Sequence, residues 1–564
     1  MKKLNADHRI IFMSMKQLST LLLVFCVSYA GYSQDSFNNT TNQRVLTNQQ
    51  WLEDLEFALA KLEAIHPNRY QRISQEDFAR VAGNARSMIE HSKSDDDCYF
   101  AIRHVIASIQ DAHTMLFFGG MVNYRAVVLP VKIDYLADGY FIGGIEKGKK
   151  ELLGARILAI NDTPMDSIVV KMQEIVSHDN LYSGFEMASR ALRYPLILKG
   201  IGVKMSGNEF TFSVLTLDGK PVDVKLIPAN SIQDSDLFTV QSLLDRSKPL
   251  HLKNLTEDYW FEYLSNDKLV YAQINRVERR GEENKSFSRF TGDFFKYFDQ
   301  HAEEIGKVII DLRFNPGGQG RLTIPFIKEM VKRENHFPRG KLFVLIGSKT
   351  YSAGVVFATQ FLEYTNAIFV GSPSGCAANM FSNSNSAGKL PNSRYELDIA
   401  SRQIENTWIA NRNIFKIDVP AIMTGKDYYT GSDPALEAIV KGEIWPLEDL
   451  AALKGADEAF RRYNEFKKKY ADLNWWNTSE NLETTINDKG YALIAGKEIE
   501  KATQVFMLNT LIFPSSANAF DSLGEAFMLA GNKESAIKHY EKSLALNPQN
   551  TNALEQLKQL KEIK

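Results

Sequence analysis

Ser352 is the first candidate for a chemical role, because its surroundings would present a hydroxyl at the end of a strand. It follows an apolar run of strand length, 342–346, and a short turn, and a helical segment begins at Ala353. A helix N-terminus offers unpaired backbone N–H groups, which would stabilise an oxyanion formed when the serine attacks a carbonyl. The competing interpretation is that Ser352 only caps the helix, the commonest reason for a serine there.

A second apolar run, 308–312, leads into a Pro-Gly-Gly turn at 316–318. Paired glycines let backbone N–H groups face a ligand without obstruction by side chains. Gly318, or Gly317, is therefore the candidate second oxyanion donor beside Ala353. The alternative is an ordinary connection between a strand and a helix.

A serine nucleophile needs a base, and histidine has a suitable pKa. The chain has ten histidines, and a lone histidine is usually a surface or core residue, so position must decide. His113 stands out because Asp111 and Thr114 flank it at the end of an amphipathic segment, 99–109. It is the candidate base, and Asp111 and Glu405 are the candidates for orienting its ring.

Hydrophobic periodicity indicates the elements that would position these residues. Residues 48–127 carry apolar side chains at helical spacing and predict a helical N-terminal region. Residues 128–228 mix alternating strands with a helix and predict a small α+β module. Residues 256–440 alternate buried strands with helices, which predicts a mostly parallel α/β layer. Residues 441–483 predict a helical connector.

Residues 484–564 contain an internal repeat with the 34-residue period of tetratricopeptide helix hairpins. The matching pairs are Gly490 and Gly524, Ala502 and Ala536, Phe506 and Tyr540, and Pro514 and Pro548. Two such α-helical units bury too little surface alone. We therefore expect them to dock on the rest of the chain or on a protein partner.

The N-terminus predicts a secretory signal peptide, residues 1–34, with a natural start at Met13 or Met15. Lys16 precedes an apolar run, 19–29, that is too short to cross a bilayer and is followed by small residues. The alternative is a buried N-terminal helix. We expect the mature chain to be extracytoplasmic, either periplasmic or secreted, without a transmembrane anchor.

Composition is that of a globular protein of several domains, with 564 residues, 44% of them hydrophobic and 24% charged. The net charge of −2 provides no global field that would favour nucleic acid or an anionic membrane. Cys26 lies in the predicted signal peptide. Cys98 and Cys376 are far apart and lack metal-ligand spacing, which predicts two buried thiols, with a disulfide as the alternative.

The motifs and their order resemble the tail-specific protease family over roughly residues 50–440. They are Asp-x-His-Thr at 111–114, Asp-Leu-Arg-x-Asn-x-Gly-Gly at 311–318, Thr-x-Ser-Ala-Gly at 350–354 and Gly-Ser-Asp-Pro-Ala-Leu-Glu at 431–437. The resemblance implies a crotonase-like (ClpP-like) α/β protease core. It also implies that the inserted module is PDZ-like and helps to hold a peptide by strand addition.

One departure decides between two branches of that family. Members of the Ser/Lys type carry a lysine base about 25 residues after the serine, but 371–379 contains no lysine, and Ala377 stands at that position. The segment around His113 instead resembles the tricorn-like branch, in which histidine is the base. That branch has a polar residue immediately before the histidine, where this chain has Ala112.

The resemblance therefore implies a serine-type endopeptidase that acts on polypeptides and needs no metal or organic cofactor. Ser352 would attack the carbonyl, His113 would take the proton, and the N–H groups of Gly318 and Ala353 would hold the oxyanion. The alternative is a catalytically weak or inactive protein that binds peptides or partners with the same fold. Binding of an apolar small molecule is a third interpretation.

Overall fold

The computed structural model describes residues 45–117, 127–205, 207–230, 232–240, 249–278, 286–407, 415, 417–469 and 479–562. The predicted signal peptide, 1–34, lies outside these residues. Within the described ranges, no helix combines the length and the apolar character that a membrane span requires.

Three helices form the N-terminal region: α1 (Asn48–Ile65), α2 (Gln75–His91) and α3 (Asp95–Ser108). Each begins at a hydroxyl side chain that accepts a backbone N–H of the first turn, from Thr47, Ser74 and Ser94 respectively. The chain then turns through the segment that carries His113 and enters a short strand, β1 (Met115–Leu116).

A strand module of residues 127–239 follows. Its strands are β2 (Val127–Val128), β3 (Val131–Leu136), β4 (Gly139–Glu146), β5 (Arg156–Ile160), β6 (Thr163–Pro164), β7 (Phe210–Leu215), β8 (Pro221–Leu226), β9 (Ala229–Asn230) and β10 (Leu237–Thr239). Its helices are α4 (Met165–Gln173), α5 (Leu181–Ala191) and α6 (Pro195–Gly200). The central strand order is β10-β4-β5-β7-β8, with β3 paired to β4. The module thus extends past residue 228, because β10 pairs with β4 but is too short to show an alternating pattern.

The next region is an α/β layer. Its strands are β11 (Tyr259–Leu264), β12 (Leu269–Ile274), β13 (Lys307–Asp311), β14 (Leu342–Ile346), β15 (Ile368–Gly371), β16 (Met380–Lys389), β17 (Glu396–Ile404) and β18 (Val419–Pro420). Its helices are α7 (Leu250–Lys253), α8 (Phe287–His301), α9 (Ile324–Lys332), α10 (Ala353–Tyr364), α11 (Gly425–Thr430) and α12 (Pro434–Lys441). The main sheet has the order β11-β12-β13-β14-β15-β18, parallel except for β11.

Strands β16 and β17 do not join the main sheet, because they form a long hairpin to which β1 adds as a third strand. Met115 pairs with Asp398 and Leu116 with Leu397, two and three residues after His113. The hairpin therefore anchors the histidine segment to the α/β layer.

Phenylalanine side chains fill the space between the main sheet and its helices. The buried members are Phe287, Phe290, Phe294, Phe295, Phe298, Phe326, Phe357 and Phe361. Burying each such side chain contributes roughly 2–3 kcal/mol, which makes this cluster a rigid support for α10. Cys98 and Cys376 are buried free thiols in two different clusters, as the sequence predicted.

The C-terminal part is helical. Its elements are α13 (Leu447–Lys454), α14 (Ala456–Lys469), α15 (Ser479–Ala495), α16 (Ile499–Ile512), α17 (Ala517–Leu529), α18 (Lys533–Leu546) and α19 (Thr551–Glu562). They dock on the α/β layer through Asp449, which pairs with Lys489 at 2.8 Å and with Arg339 at 3.0 Å. The two helices of the predicted connector pack directly on α16 and form one core with the repeats.

Candidate active site

Ser352 lies where β14 gives way to α10, in a strained backbone conformation. Its φ of 51° and ψ of −122° lie in a region of backbone conformation that residues other than glycine rarely adopt. Thr350 holds the preceding turn, since its hydroxyl donates to Leu312 O at 2.8 Å and accepts the Gly347 N–H at 3.0 Å. The Ser352 side chain makes no capping hydrogen bond to α10. Capping therefore does not account for this serine.

The Pro-Gly-Gly turn lies against Ser352. A Cβ placed on Gly317 would come within 2.7 Å of the Ser352 Cβ and 3.1 Å of the Ala353 nitrogen. The buried side chain of Asn315 fixes this turn, because its Oδ1 accepts the Gly317 N–H at 2.9 Å. Only a glycine at 317 leaves room for the serine and for an approaching substrate.

Two backbone N–H groups beside the serine are unpaired. The Gly317 N–H is used by Asn315, and the Ser352 N–H donates to the Cys376 sulfur at 3.1 Å. The N–H groups of Gly318 and Ala353 have no acceptor among the described residues. They are the two that the sequence indicated as oxyanion donors.

His113 lies over the residue that precedes the serine. Its imidazole stacks on the Tyr351 ring, with centroids 4.7 Å apart and ring planes 21° apart. The side chain is only 6% exposed, and within the described part of the chain neither ring nitrogen has a hydrogen-bond partner. The candidate base thus contacts the residue next to the candidate nucleophile, but no hydrogen bond joins its ring to the Ser352 hydroxyl.

Asp111 binds the backbone of His113 rather than its ring. Its Oδ1 accepts the His113 N–H at 2.9 Å, and its Oδ2 accepts from His66 Nε2 at 3.2 Å and from the Thr114 hydroxyl at 2.5 Å. Burial alone would raise the pKa of Asp111, but the bond from His66 and the nearby His113 hold it below its ordinary value. The carboxylate therefore stays ionised close to the imidazole without orienting it by a ring hydrogen bond.

Glu405, the other candidate for orienting the ring, is not brought to His113. It is exposed just beyond the end of β17, where its carboxylate accepts from the Gln403 side chain at 3.1 Å. The two residues that follow it bind elsewhere, because the N–H groups of Asn406 and Thr407 donate to Asn379 Oδ1. Neither candidate therefore contacts the imidazole nitrogens.

Three residues at the site were missed by the sequence reasoning: Tyr351, Cys376 and Asp179. Tyr351 directly precedes Ser352, and an aromatic residue next to the candidate nucleophile was the signal that could have identified it. Cys376 was predicted only to be a buried thiol, and burial raises the pKa of that thiol well above its ordinary value. Asp179 carries no sequence signal, because it lies 67 residues from Ala112 and 198 residues from Ala377, whose N–H groups it accepts.

Lys349 lies three residues before Ser352, but its side chain forms an ion pair with Asp134. Its Nζ lies 3.1 Å from Asp134 Oδ1, and Tyr429 donates to the other oxygen of Asp134 at 3.2 Å. Burial would lower the pKa of Lys349, but the Asp134 carboxylate outweighs this and raises it. Lys349 is therefore a cation that joins the strand module to the α/β layer.

The Asp-Leu-Arg motif and the closing Gly-Ser-Asp-Pro motif meet beneath the site. The Arg313 guanidinium binds both oxygens of Asp433, at 3.0 and 2.7 Å, and also contacts Asp311 at 2.6 Å. This bidentate pairing fixes the direction in which the chain leaves β13. It thereby supports the turn that carries Gly317 and Gly318.

A largely apolar cavity opens at the carboxyl ends of β14 and β15, between the strand module and the α/β layer. Side chains from both regions line it, among them Tyr135, Tyr182, Phe314, Ile422 and Tyr428. A substrate side chain lying along this sheet edge would meet aromatic and aliphatic surface.

Comparison with solved structures identifies the fold. Mature CPAF complexed with lactacystin has a TM-score of 0.50 at 13% identity, covering 70% of this chain and 97% of that chain. The photosystem II D1 C-terminal processing protease has a TM-score of 0.35 at 12% identity over 70% of this chain and 96% of its own. The tricorn protease has a TM-score of 0.33 at 13% identity over 70% of this chain and 36% of its own. No protein-family model matches the sequence, and no curated protein matches it.

The chain therefore shares its α/β fold with mature CPAF, which agrees with the mixed α/β architecture expected from the sequence.

Proposed function

We propose that this chain is a serine-type endopeptidase in which Ser352 is the nucleophile and His113 the base. The observation that carries the proposal is the strained Ser352, whose hydroxyl caps nothing and is flanked by two unpaired N–H groups. Backbone strain of this kind persists where the surrounding structure enforces it, commonly at active sites.

In the proposed reaction, the Ser352 hydroxyl attacks a peptide carbonyl and His113 takes its proton. The N–H groups of Gly318 and Ala353 bind the oxyanion, and each is worth roughly 3 kcal/mol of barrier. His113 then gives the proton to the leaving amine, and water releases the acyl group by the same steps. The proposal requires the imidazole to move so that a ring nitrogen reaches the hydroxyl, as catalytic hydrogen bonds often tighten only when substrate binds.

Buried negative charge supports His113 as the base. The carboxylate of Asp111 lies against the His113 segment and interacts with the imidazole through space. An imidazolium that forms during attack would be stabilised by this charge in a poorly solvated site. Lys349 is an unsuitable base, because its pairing with Asp134 keeps it protonated.

The other regions have proposed roles in handling polypeptides. The strand module is proposed to be PDZ-like and to hold the substrate by strand addition. Helices α15 to α18 are proposed to be two tetratricopeptide repeats that bind a protein partner. The signal peptide predicted at residues 1–34 would direct export of the enzyme from the cytoplasm and would then be removed.

Labelling with a fluorophosphonate tests the proposed function, because only an activated serine reacts. We expect the wild-type chain to label, and both Ser352→Ala and His113→Ala to lose labelling and hydrolysis of an unfolded protein. Hydrolysis that persists in Ser352→Ala would overturn the assignment. A folded wild-type chain that neither labels nor hydrolyses would favour a peptide-binding protein instead.

A further inference from the structure

Asp179 belongs to the strand module but reaches into the candidate active site. It lies between α4 and α5 and is only 2% exposed. Its Oδ1 accepts the Ala112 N–H at 2.8 Å, and its Oδ2 accepts the Ala377 N–H at 2.9 Å. One carboxylate thus joins two turns that are more than 260 residues apart in sequence.

The first of these turns carries His113, and the second contacts the backbone of Ser352. Ala112 immediately precedes His113. Ala377 immediately follows Cys376, whose sulfur accepts the Ser352 N–H at 3.1 Å. A continuous series of contacts therefore leads from the base, through Asp179, to the backbone of the nucleophile.

The backbone around Asp179 is itself fixed. The Asp179 N–H donates to the Ser183 hydroxyl at 3.0 Å, and the next residue, Asn180, caps α5 with its side chain. Arg72 Nη1 lies 3.6 Å from Asp179 Oδ1 and balances part of its charge. A short, capped attachment of this kind gives the carboxylate little freedom to move.

We propose that Asp179 is a positioning residue that sets the separation of His113 and Ser352. It binds the turn that carries His113 and the turn whose Cys376 accepts the backbone N–H of Ser352. This inference rests on the proposed peptidase function. Asp179 does not touch the imidazole, so it acts through the backbone of Ala112, in place of a carboxylate on the ring. It also makes the strand module a necessary part of the catalytic geometry rather than only a peptide-binding attachment.

Asp179→Asn is the direct test, because asparagine has nearly the same shape as aspartate but only one side-chain oxygen. That oxygen can accept one of the two backbone N–H groups, and the side-chain NH₂ group would repel the other N–H group. A displacement of about 1 Å between reacting groups costs on the order of 100-fold in rate. We therefore expect kcat on an unfolded protein substrate to fall by about 100-fold. KM should change by less than about threefold, because no substrate contact is lost.

Asp54 provides a matched control. It is equally buried, and its two oxygens accept the N–H groups of Asn392 and Ser393, each at 2.8 Å, in the turn between β16 and β17. Asp54→Asn should lower the melting temperature much as Asp179→Asn does. Its kcat per folded molecule should remain that of the wild type.

The outcomes separate the two proposals. Equal kcat for Asp179→Asn and Asp54→Asn, alongside an inactive Ser352→Ala, would overturn the role of Asp179 and leave the peptidase intact. Wild-type hydrolysis by Ser352→Ala would overturn the peptidase, and the role of Asp179 with it. If Asp179→Asn does not fold, Ser183→Ala provides a second test, because it keeps the Asp179 carboxylate and loosens the backbone of Asp179 and Asn180. We expect it to lower kcat by about threefold; an unchanged kcat would contradict the proposal.

Discussion

The imidazole of His113 lies face to face on the ring of Tyr351, the residue before the candidate nucleophile. Tyr351 is fixed at both ends, because its N–H donates to Asn315 O at 2.9 Å and its hydroxyl donates to Ala112 O. Serine peptidases commonly orient their histidine with a carboxylate on the ring nitrogen. In this chain Tyr351 holds the face of the imidazole instead, and no described residue forms a hydrogen bond with its nitrogens.

Tyr351 variants should therefore affect catalysis in two distinct steps. Tyr351→Phe keeps the stacked ring and loses one hydrogen bond, so we expect kcat to fall by about fivefold. Tyr351→Leu removes the platform, so kcat should fall by about 100-fold or more. Steady-state hydrolysis of an unfolded protein measures both. Tyr364→Leu, at a tyrosine that is 63% exposed, is the control; a Tyr351→Leu protein as active as that control would refute the platform role.

Gly317 offers a test of the space around the serine. Alanine at 317 would suffer from the φ of 114° and would also press on the Ser352 Cβ. Gly148 has a similar φ, 107°, with no atom within 4 Å of an added Cβ. We expect both Gly→Ala variants to lose about 1 kcal/mol or more of stability. Only Gly317→Ala should lose fluorophosphonate labelling; loss in both variants would point to global destabilisation.

Much of the fold could be predicted because it depends on local signals. The strand predicted over 342–346 matches β14, and the helical segment predicted to begin at Ala353 matches the start of α10. Strands of two or three residues, such as β10, are too short to show an alternating hydrophobic pattern. The strand module was therefore predicted to end at residue 228, before β10. The pairing of such strands depends on distant partners rather than on their own pattern.

Within the candidate site, the sequence signal was clearest where a particular backbone conformation is required. Gly317 and Gly318 could be recognised from the sequence because residues with a side chain rarely adopt their positive φ values, 114° and 128°. The group orienting His113 was sought in the carboxylates of Asp111 and Glu405, but the contacts come from Tyr351 and, through Ala112, from Asp179. Tertiary contacts across 67 residues leave no trace in a single sequence.

A double variant asks whether Lys349 has any catalytic role. Lys349→Met alone would leave Asp134 buried and unpaired, at a cost of about 3–5 kcal/mol. Asp134→Asn with Lys349→Met removes both charges and keeps an acceptor for Tyr429. Because His113 is the proposed base, we expect the folded double variant to keep kcat within about threefold of wild type. A loss comparable to that of His113→Ala would identify Lys349 as the base instead.

The Arg313–Asp433 pair predicts a specific dependence of stability on pH. Burial alone would raise the pKa of Asp433, but Arg313 and the His251 ring, 3.2 Å away, hold it well below its ordinary value. A carboxylate with a lowered pKa contributes stability above its unfolded pKa of about 3.9, and this contribution is lost as pH falls below that value. The loss amounts to about 1.4 kcal/mol per pH unit for one such group.

Asp433→Asn should therefore be less stable than wild type at pH 7, because Arg313 loses its bidentate partner, and this deficit should narrow as the pH falls below about 4. Denaturant unfolding at each pH measures it. Asp223→Asn, at an exposed carboxylate bound only to the Ser213 hydroxyl, is the control and should differ from wild type by no more than about 0.5 kcal/mol. If the deficit of Asp433→Asn stays constant from pH 7 to pH 3, the bridge between the two motifs does not depend on an ionised Asp433. The support it gives to the Gly317–Gly318 turn would then come from packing rather than from charge.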